Sequence, residues 1–340
     1  MNDKSLDVLK MYDFDVRQVS RGRGGMIVGT NAGIKLFLEC EKPDKYYERE
    51  DGITHALSEN GFRDVDTFVR NRDGELITSA EDGKKYVVKD WFSGRECNVK
   101  SIDEICRAVE ILGRLHKQLN EIGAGLMQGR NSEEPGVVRA AEAGGLTPMR
   151  NVYTRHMKEL KLAGNYLRNK KNKSEFEQIA HKNISGFYEE AALAVKRMES
   201  SELTERFMQA VEEGEISHGN YNYHNVIFSD GGMGVTNFDH YKNECQISDL
   251  YQFMRKIMEK YDWDMETAYK MLDEYDRVKT LSDSDLELLS VLFAFPEKFW
   301  KVINFYFNSS KSWIPRKSIE KLKVVVAQNE QRLKFLETIS

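Results

Sequence analysis

One segment of the sequence holds polar residues whose types and spacing could support chemistry. It runs from Ile216 to Asp239 and interrupts a long helical pattern with β-branched residues around a glycine turn. Its polar members include His218, Asn220, Asn225, Asn237 and Asp239. Asparagine presents a neutral amide oxygen, whereas Mg²⁺ prefers anionic carboxylate oxygen. Asparagine also cannot accept a proton as a carboxylate base does, a role worth about 10²–10⁴-fold in rate. The segment therefore predicts a polar site that depends mainly on amide groups.

The elements that must position this segment form a small β-rich part followed by a larger helical part. Alternation and turn residues predict an edge strand within Phe14–Val19, strands at Met26–Val28 and Ile34–Leu38 around a hairpin turn at Thr30–Gly33, a helix over Pro43–Asn60 stopped by Gly61, and a strand at Tyr86–Val88. After Gly94, helical spacing predicts Ile102–Leu119, a glycine-rich connection over Gly123–Gly145, helices from Asn151 to Ala210, and helices again from Ile247 onward.

The composition excludes several classes of protein. The 340 residues include 50 Lys and Arg against 55 Asp and Glu, a net charge of −5, and 40% are hydrophobic. This favours a folded core without the basic excess typical of nucleic-acid binding. No run reaches the roughly 18 apolar residues of a membrane span, and the N-terminus lacks a signal-peptide core. The four cysteines are widely spaced, so we expect a soluble protein of the reducing cytosol without a zinc site.

The order of these motifs resembles the kinase-like fold of aminoglycoside and choline kinases. In that family His-Gly-Asp is followed after four residues by Asn, then by a hairpin and a second acidic motif. Here the corresponding segment reads His218-Gly-Asn220 with Asn225, and the second motif begins at Asn237. Glu50, just ahead of Gly61, resembles the helix glutamate that pairs with a phosphate-binding lysine. The resemblance covers about residues 14–325.

A narrower resemblance is to the CotS family of bacterial spore-coat proteins, whose members are kinase-like and associated with the endospore coat. Five segments carry it in order: Trp91–Cys97, His218–Asn225, Asp249–Lys256, Phe295–Trp300 and Lys311–Pro315. Each segment alone is weakly specific, but five at matching spacing make chance coincidence improbable.

The sequence departs from the kinase pattern where phosphoryl transfer needs it most. Asn220 stands in place of the catalytic aspartate and Asn237 in place of the metal-binding aspartate. Phosphoryl transfer depends on positioning and on neutralising charge with Mg²⁺. The missing carboxylate at Asn237 is therefore expected to impair the reaction more than the missing carboxylate at Asn220. Asn225 keeps the family's residue type as a metal ligand. Asp239 would share a strand face with Asn237 in an extended segment and could reach a metal if the backbone shifted.

The resemblance also implies residues for ATP. Lys35 lies in the presumed third strand, where it would contact phosphate or remain a solvated strand residue. The turn containing Gly22, Gly24 and Gly25 would cover phosphates through its backbone N–H groups or serve as a simple hairpin turn. Tyr86–Gly94 resembles the hinge between the lobes. The candidate cofactor-binding residues are Lys35, Glu50, Gly22, Gly24, Gly25, Val88 and Asp90.

Two further groups of residues are predicted to support or extend the site. His218 and Asp249 are expected to brace the catalytic loop through hydrogen bonds to its backbone. Arg155 to Lys173 contains seven basic residues and one acid, Glu159. Such a run is usually a solvated helix face, but helices of this region roof the substrate cleft in related enzymes. A basic surface around Lys158–Lys173 would suit an anionic ligand or other spore-coat proteins.

Together these observations predict an α+β, protein kinase-like fold of two lobes. Residues 1–92 would form the β-rich lobe with one helix, and residues 93–340 the helical lobe carrying segment 216–239. We expect a pseudokinase with a structural or assembly role, made in the mother-cell cytoplasm and deposited on the spore coat, with no nucleic-acid or membrane partner. The alternative is a small-molecule phosphotransferase that uses ATP and Mg²⁺. A more distant one is a nucleotide-binding regulator without transfer.

Overall fold

The computed structural model describes residues 3–22, 24–62, 65–128, 148–229, 231–309 and 316–339. The chain divides into two compact units, the first made of Met1–Gln128 and Glu215–Asn243, the second of Gly129–Gly214 and Glu244–Ser340. The predicted division at residue 92 follows the lobes of the kinase-like fold rather than these units, and it stays a prediction. The Lys311–Pro315 segment lies outside the described residues.

An antiparallel sheet dominates the first unit. Its strands are β1 (Val16–Arg21), β2 (Met26–Thr30), β3 (Gly33–Glu39), β4 (Phe68–Val69), β5 (Thr78–Ser79) and β6 (Lys85–Trp91). The order is β1-β2-β3-β6-β4, and β5 pairs with β6. The predicted edge strand and hairpin are therefore confirmed. Gly33 takes the left-handed φ of 90° that the β2–β3 turn requires.

The two faces of this sheet bury different partners. One face packs Val28, Phe37 and Val88 against the N-terminal segment, which contains α1 (Asp3–Leu6) and a 3₁₀ helix (Asp7–Met11). The other face meets α2 (Asp44–Glu59), whose Tyr47 packs with Val87. The predicted helix is thus confirmed, and Gly61 follows it at a φ of 90°. Since side chains alternate along a strand, neighbouring residues of β3 and β6 face different surroundings.

The first unit also contains a long helix and a second small sheet. Helix α3 spans Ile102–Gln128 and so continues beyond the predicted end at Leu119. The predicted connection over Gly123–Gly145 is wrong at its start, because glycine lowers helix stability only by about 1 kcal/mol and the helix continues through it. Its residues 129–147 lie outside the described part. Strands β7 (Arg95–Glu96), β8 (Val226–Ser229) and β9 (Gly232–Val235) form the second sheet.

The described residues of the second unit are mainly helical. The helices are α4 (Pro148–Asn169), α5 (Glu175–Arg197), α6 (Ser201–Glu212), α7 (Ile247–Met258), α8 (Met265–Val278), α9 (Asp283–Ala294), α10 (Glu297–Phe307), α11 (Arg316–Ala327) and α12 (Asn329–Ile339). Ser174 caps α5 through a capping box with Glu177, which satisfies N–H groups at the start of the helix. Within the described ranges, no helix has the length and apolar character needed to cross a membrane.

Candidate functional site

The glycine-rich turn between β1 and β2 is explained by close packing. The Gly22 N–H donates to the Gly25 carbonyl oxygen at 2.9 Å, and Gly24 has a φ of 81°. A Cβ on Gly25 would lie 2.6 Å from the Phe37 carbonyl oxygen, closer than real Cβ atoms approach. The turn therefore needs glycine whether or not a ligand binds there, and its phosphate-covering role stays a prediction.

The lysine that pairs with Glu50 is Lys89 on β6. Its ammonium bonds one carboxylate oxygen of Glu50 and lies 3.2 Å from Asp66 Oδ2. Leu36 of β3 is the cross-strand neighbour of Lys89, whereas the adjacent Lys35 is the neighbour of Asp90 and pairs with it. The structure thus separates Lys35 from Glu50, and it places a lysine from the neighbouring strand beside the helix glutamate.

Lys89, Glu50 and Asp66 form a buried charge cluster. Their side chains are 2%, 0% and 0% exposed. Burial raises the pKa of Glu50, and the attraction of Lys89 only partly opposes this effect. Burial also opposes the charge on Lys89, but Asp66 and Glu50 outweigh it, so the pKa of Lys89 is raised. The cluster therefore holds one ammonium against two carboxyl groups away from water.

The predicted catalytic loop is held by His218. Its Nε2 lies 3.0 Å from the Thr236 carbonyl oxygen, and its Nδ1 accepts from the Asn220 N–H at 3.2 Å. Gly219 has a φ of 76°, and a Cβ there would overlap the backbone of His240. These contacts tie the His218 ring to the backbone of this segment, and its bracing role stays a prediction. The carbonyl oxygen of Asn220 in turn accepts from the Asn225 amide at 2.9 Å.

Asn237 joins the buried charge cluster to this loop. Its backbone N–H donates to Asp66 Oδ2 at 3.1 Å, and its side-chain amide donates to Asn225 Oδ1 at 2.8 Å. Its φ of 64° is left-handed, a conformation that Asn and Asp tolerate better than other side chains. Two of the three predicted metal-ligand positions, Asn225 and Asn237, are therefore bonded to each other as neutral amides.

These donors do not fit Mg²⁺. The amide oxygen of Asn225 is engaged by Asn237, and the nearby carboxylate of Asp66 binds Lys89 and the Asn237 backbone. Mg²⁺ dehydrates reluctantly and is usually held through one or two carboxylates. Over the described ranges, no group of three or more His, Cys, Asp or Glu side chains is arranged to hold a metal ion.

The chain after Asn237 is not extended, so the expected placement of Asp239 on one strand face with Asn237 is wrong. Residues Phe238–His240 form a 3₁₀ helix, because Asn237 turns the backbone through its left-handed conformation. The Asp239 carboxylate lies 3.5 Å from His240 Nε2, and its side chain is 44% exposed. Its carbonyl oxygen accepts from Lys42 and, at 2.7 Å, from the Tyr46 hydroxyl.

Tyr46 and Arg49 of α2, together with Lys42 just before the helix, connect α2 to this segment. The Arg49 guanidinium donates to Asn243 Oδ1 at 2.6 Å, and the Tyr46 ring packs on Tyr241 with 4.7 Å between centroids. We call these contacts, made by Lys42, Tyr46 and Arg49, the α2 latch. The latch fixes the helix that carries Glu50 to the residues that follow Asn237.

The remaining predicted residues lie in separate surroundings. Val88 is fully buried in the sheet core, and Asp90 is engaged by Lys35. Asp249 is buried in the first turn of α7, in the second unit, and its bracing role stays a prediction. The basic run is not uniform: α4 ends at Asn169, and Lys170 is paired with Glu177 at 2.7 Å.

Sequence reasoning missed Lys89 and Asp66. A signal for Lys89 existed, since it follows Tyr86-Val-Val88 in a strand whose other buried members are apolar. The resemblance instead directed attention to the third strand. Asp66 gave little signal, because it precedes a strand of only two residues, Phe68–Val69.

Comparison with solved structures places the fold. The chain is similar to an aminoglycoside phosphotransferase from Alicyclobacillus acidocaldarius, with 15% identity over 98% of this chain and 94% of that one and a TM-score of 0.82. It is similar to a spectinomycin phosphotransferase in complex with ADP and spectinomycin, with 11% identity over 97% and 99% of the two chains and a TM-score of 0.63. A microcompartment-associated aminopropanol kinase gives 14% identity over 98% and 97%, with a TM-score of 0.56.

These similarities, with an antiparallel β lobe and a helical lobe, define a kinase-like fold of the aminoglycoside phosphotransferase type, as predicted. No curated protein matches the chain. Residues 7–339 match the family described as "Spore coat putative kinase YutH", and the chain belongs to that family. The predicted resemblance to CotS-like spore-coat proteins is thereby confirmed.

Proposed function

We propose that this protein is a pseudokinase of the spore coat. It keeps the kinase-like fold, does not transfer phosphate, and acts as a structural or assembly component. The family supports the coat context. The finer assignment depends on one observation: Asn237 and Asn225, at the metal positions, bond each other through neutral amides, while Asn220 replaces the base.

The buried charge cluster supports the same proposal. Lys89 has its charge balanced by Glu50 and Asp66 and is 2% exposed, so its ammonium is enclosed rather than presented to a phosphate. Its ammonium also lies 4.5 Å from the centre of the Phe68 ring. In an active kinase the equivalent ion pair positions the nucleotide. Here the pair contributes to the architecture of the β lobe.

A second candidate is an ATP-dependent phosphotransferase acting on a small molecule. The observation that favours it is that the helix glutamate Glu50 is retained and that Asn225, a residue type kept from the family, lies beside the loop and bonds the Asn220 carbonyl oxygen. Similar structures bind ADP, as the spectinomycin phosphotransferase does. On this alternative, ATP and Mg²⁺ would be the cofactors.

A thermal-shift titration with ATP separates the two candidates. We expect little stabilisation by ATP and no additional effect of Mg²⁺ or Mn²⁺, because the donors at Asn225 and Asn237 are neutral. A ligand at one hundred times its Kd would stabilise the native state by about 2.7 kcal/mol, which is easily measured. Mg²⁺-dependent stabilisation of that size would contradict the pseudokinase and favour the phosphotransferase.

The coat assignment has its own test. We expect a fluorescent fusion expressed from the native promoter to appear first in the mother-cell cytoplasm and then as a shell around the forming spore. The family membership motivates this expectation. A fusion that remains diffuse throughout sporulation, while a known coat protein forms its shell in the same cells, would count against it.

A further inference from the structure

The outward side of α4 combines positive charge with exposed apolar side chains. Leu162 is 67% exposed and Tyr166 is 51% exposed, one helical turn apart. Around them stand basic residues that are all exposed: Arg155, Lys158, Lys161 and Arg168. We call these six residues the α4 face.

Most of the positive charge on the α4 face is unbalanced. Within the described part of the chain, Lys158, Lys161 and Arg168 make no ion pair. Glu159, the one acid of the helix, accepts from the Trp300 indole N–H at 2.7 Å and lies 3.9 Å from Arg155. The cations of this face are therefore free to bind an acidic partner.

The neighbouring part of α10 carries two lysines that are already paired with glutamates. His156 of α4 stacks on Trp300 of α10, which brings the two helices together. Lys301, next to Trp300, pairs with Glu297, and Lys298 pairs with Glu259. Lys256 of α7 is half-buried near both lysines. Burial and the charges of Arg255, Lys301 and Lys298 lower its pKa to about 8. Lys298 and Lys301 therefore add no unpaired charge to the α4 face.

We propose that the α4 face binds an acidic protein segment that carries apolar side chains. The segment's carboxylates would meet Lys158, Lys161 and Arg168, and an apolar side chain would cover Leu162 and Tyr166. This inference rests on the proposed coat role and names the chemistry of the partner. Opposite charge gives steering and register, whereas the apolar contact supplies affinity at the centre.

The geometry favours a protein partner over a lipid surface. The apolar side of α4 is turned inward, where Tyr153, Leu160 and Leu167 are buried. A helix that lies in a membrane surface needs its broad apolar side outward. Along the α4 face, Leu162 and Tyr166 are the two side chains that interrupt the basic surface, which suits a peptide with one or two apolar anchors.

The test measures binding of two synthetic probes by fluorescence anisotropy to the full chain. The first is a labelled glutamate-rich peptide with interspersed leucines, and the second has serine in place of each leucine. We expect the leucine-containing peptide to bind about tenfold more tightly, since partial burial of a leucine side chain favours binding and tenfold corresponds to about 1.4 kcal/mol. The double variant Leu162→Ser/Tyr166→Ser should abolish that preference.

Charge reversal tests the electrostatic part. We expect Lys158→Glu/Lys161→Glu/Arg168→Glu to weaken binding of both peptides about tenfold or more. The matched control, Lys182→Glu/Lys317→Glu/Lys321→Glu, changes net charge equally at exposed positions of α5 and α11 and should stay within about twofold of the parent. Circular dichroism verifies that both variants are folded.

Three outcomes would overturn the proposal: no peptide binding, equal losses in the two triple variants, or tighter binding of phosphatidylglycerol vesicles or duplex DNA than of the peptide. None of them involves ATP. If neither the peptide nor ATP binds, the α4 proposal is wrong but the pseudokinase proposal is not contradicted. If the protein binds the peptide and also transfers phosphate, the pseudokinase proposal is wrong but the proposal for the α4 face still holds.

Discussion

Replacing Lys89 with methionine is expected to lower the free energy of unfolding by about 3–5 kcal/mol, the range for breaking a buried ion pair on one side. The methionine fills a similar volume, so the main loss is charge. Glu50 and Asp66 would then face each other, both fully buried, without a cation. Urea unfolding followed by fluorescence measures the change.

The size of this loss should depend on pH. The folded-state pKa of Glu50 lies above its ordinary value of 4.5. A carboxyl group with a raised pKa stabilises the fold fully only below the unfolded pKa, and this contribution is lost as pH rises through the folded pKa. Without Lys89 that pKa rises further. The deficit of Lys89→Met should therefore be smallest below the ordinary pKa of 4.5 and grow as the pH rises through the raised folded-state pKa of Glu50.

Lys35→Met is the matched control for this experiment. Lys35 lies on the adjacent strand, and its side chain is only 9% exposed, but its partner Asp90 is 49% exposed, so removing the lysine leaves a carboxylate that water can solvate. We expect a loss of about 1 kcal/mol or less. A Lys35→Met variant that loses as much as Lys89→Met would show that the two lysines have been assigned the wrong roles.

The double variant Asn220→Asp/Asn237→Asp should gain affinity for Mg²⁺-ATP. A carboxylate at 237 supplies an anionic ligand beside Asn225, and one at 220 restores the position of the base. Both changes are nearly isosteric. Without metal, however, an oxygen would replace the Asn237 amide that donates to Asn225, and a new negative charge would stand near Asp66. The variant should thus be less stable than the parent by about 1–3 kcal/mol.

Adding Mg²⁺-ATP should reverse that difference in stability. Calorimetric titration and thermal shift measure both effects, and saturating ligand should add about 2–3 kcal/mol to the native state. Asn165→Asp/Asn172→Asp is the control, since it adds the same charge at exposed positions. If calorimetric titration of Asn220→Asp/Asn237→Asp with Mg²⁺-ATP gives no heat of binding, then more than two carboxylates were lost from the site.

The sequence predicted the architecture well because its strongest signals are local. The Thr30–Gly33 turn, the helix ending before Gly61 and the long helical run each depend on residues close in sequence. The position of His218 beside the loop backbone also follows from local sequence, because the loop is continuous, whereas its bracing role stays a prediction. These features needed no knowledge of which strand lies beside which.

The buried charge cluster could not be predicted in the same way. Glu50 lies on a helix, Asp66 in a loop and Lys89 on a strand, far apart in sequence. The register between β3 and β6, which places Lys89 opposite Leu36, is not visible in the sequence. A resemblance built on the third strand therefore pointed to Lys35. The prediction for Asp239 was wrong for a different reason. Asn237 adopts a left-handed conformation, and the chain after it forms a 3₁₀ helix instead of the expected strand.

The α2 latch has a consequence for how this protein can be controlled. Active kinases are commonly regulated by swinging the glutamate-bearing helix in and out of place. Here Tyr46 and Arg49 of that helix, with Lys42 just before it, bond to Asp239, Tyr241 and Asn243, while Glu50 is anchored to a buried ammonium. Moving the helix outward would break all of these bonds together and would leave a buried charge without its partner. If the proposed structural role holds, a single rigid arrangement is an advantage, because a binding surface kept in one shape loses no conformational entropy each time it binds its neighbour.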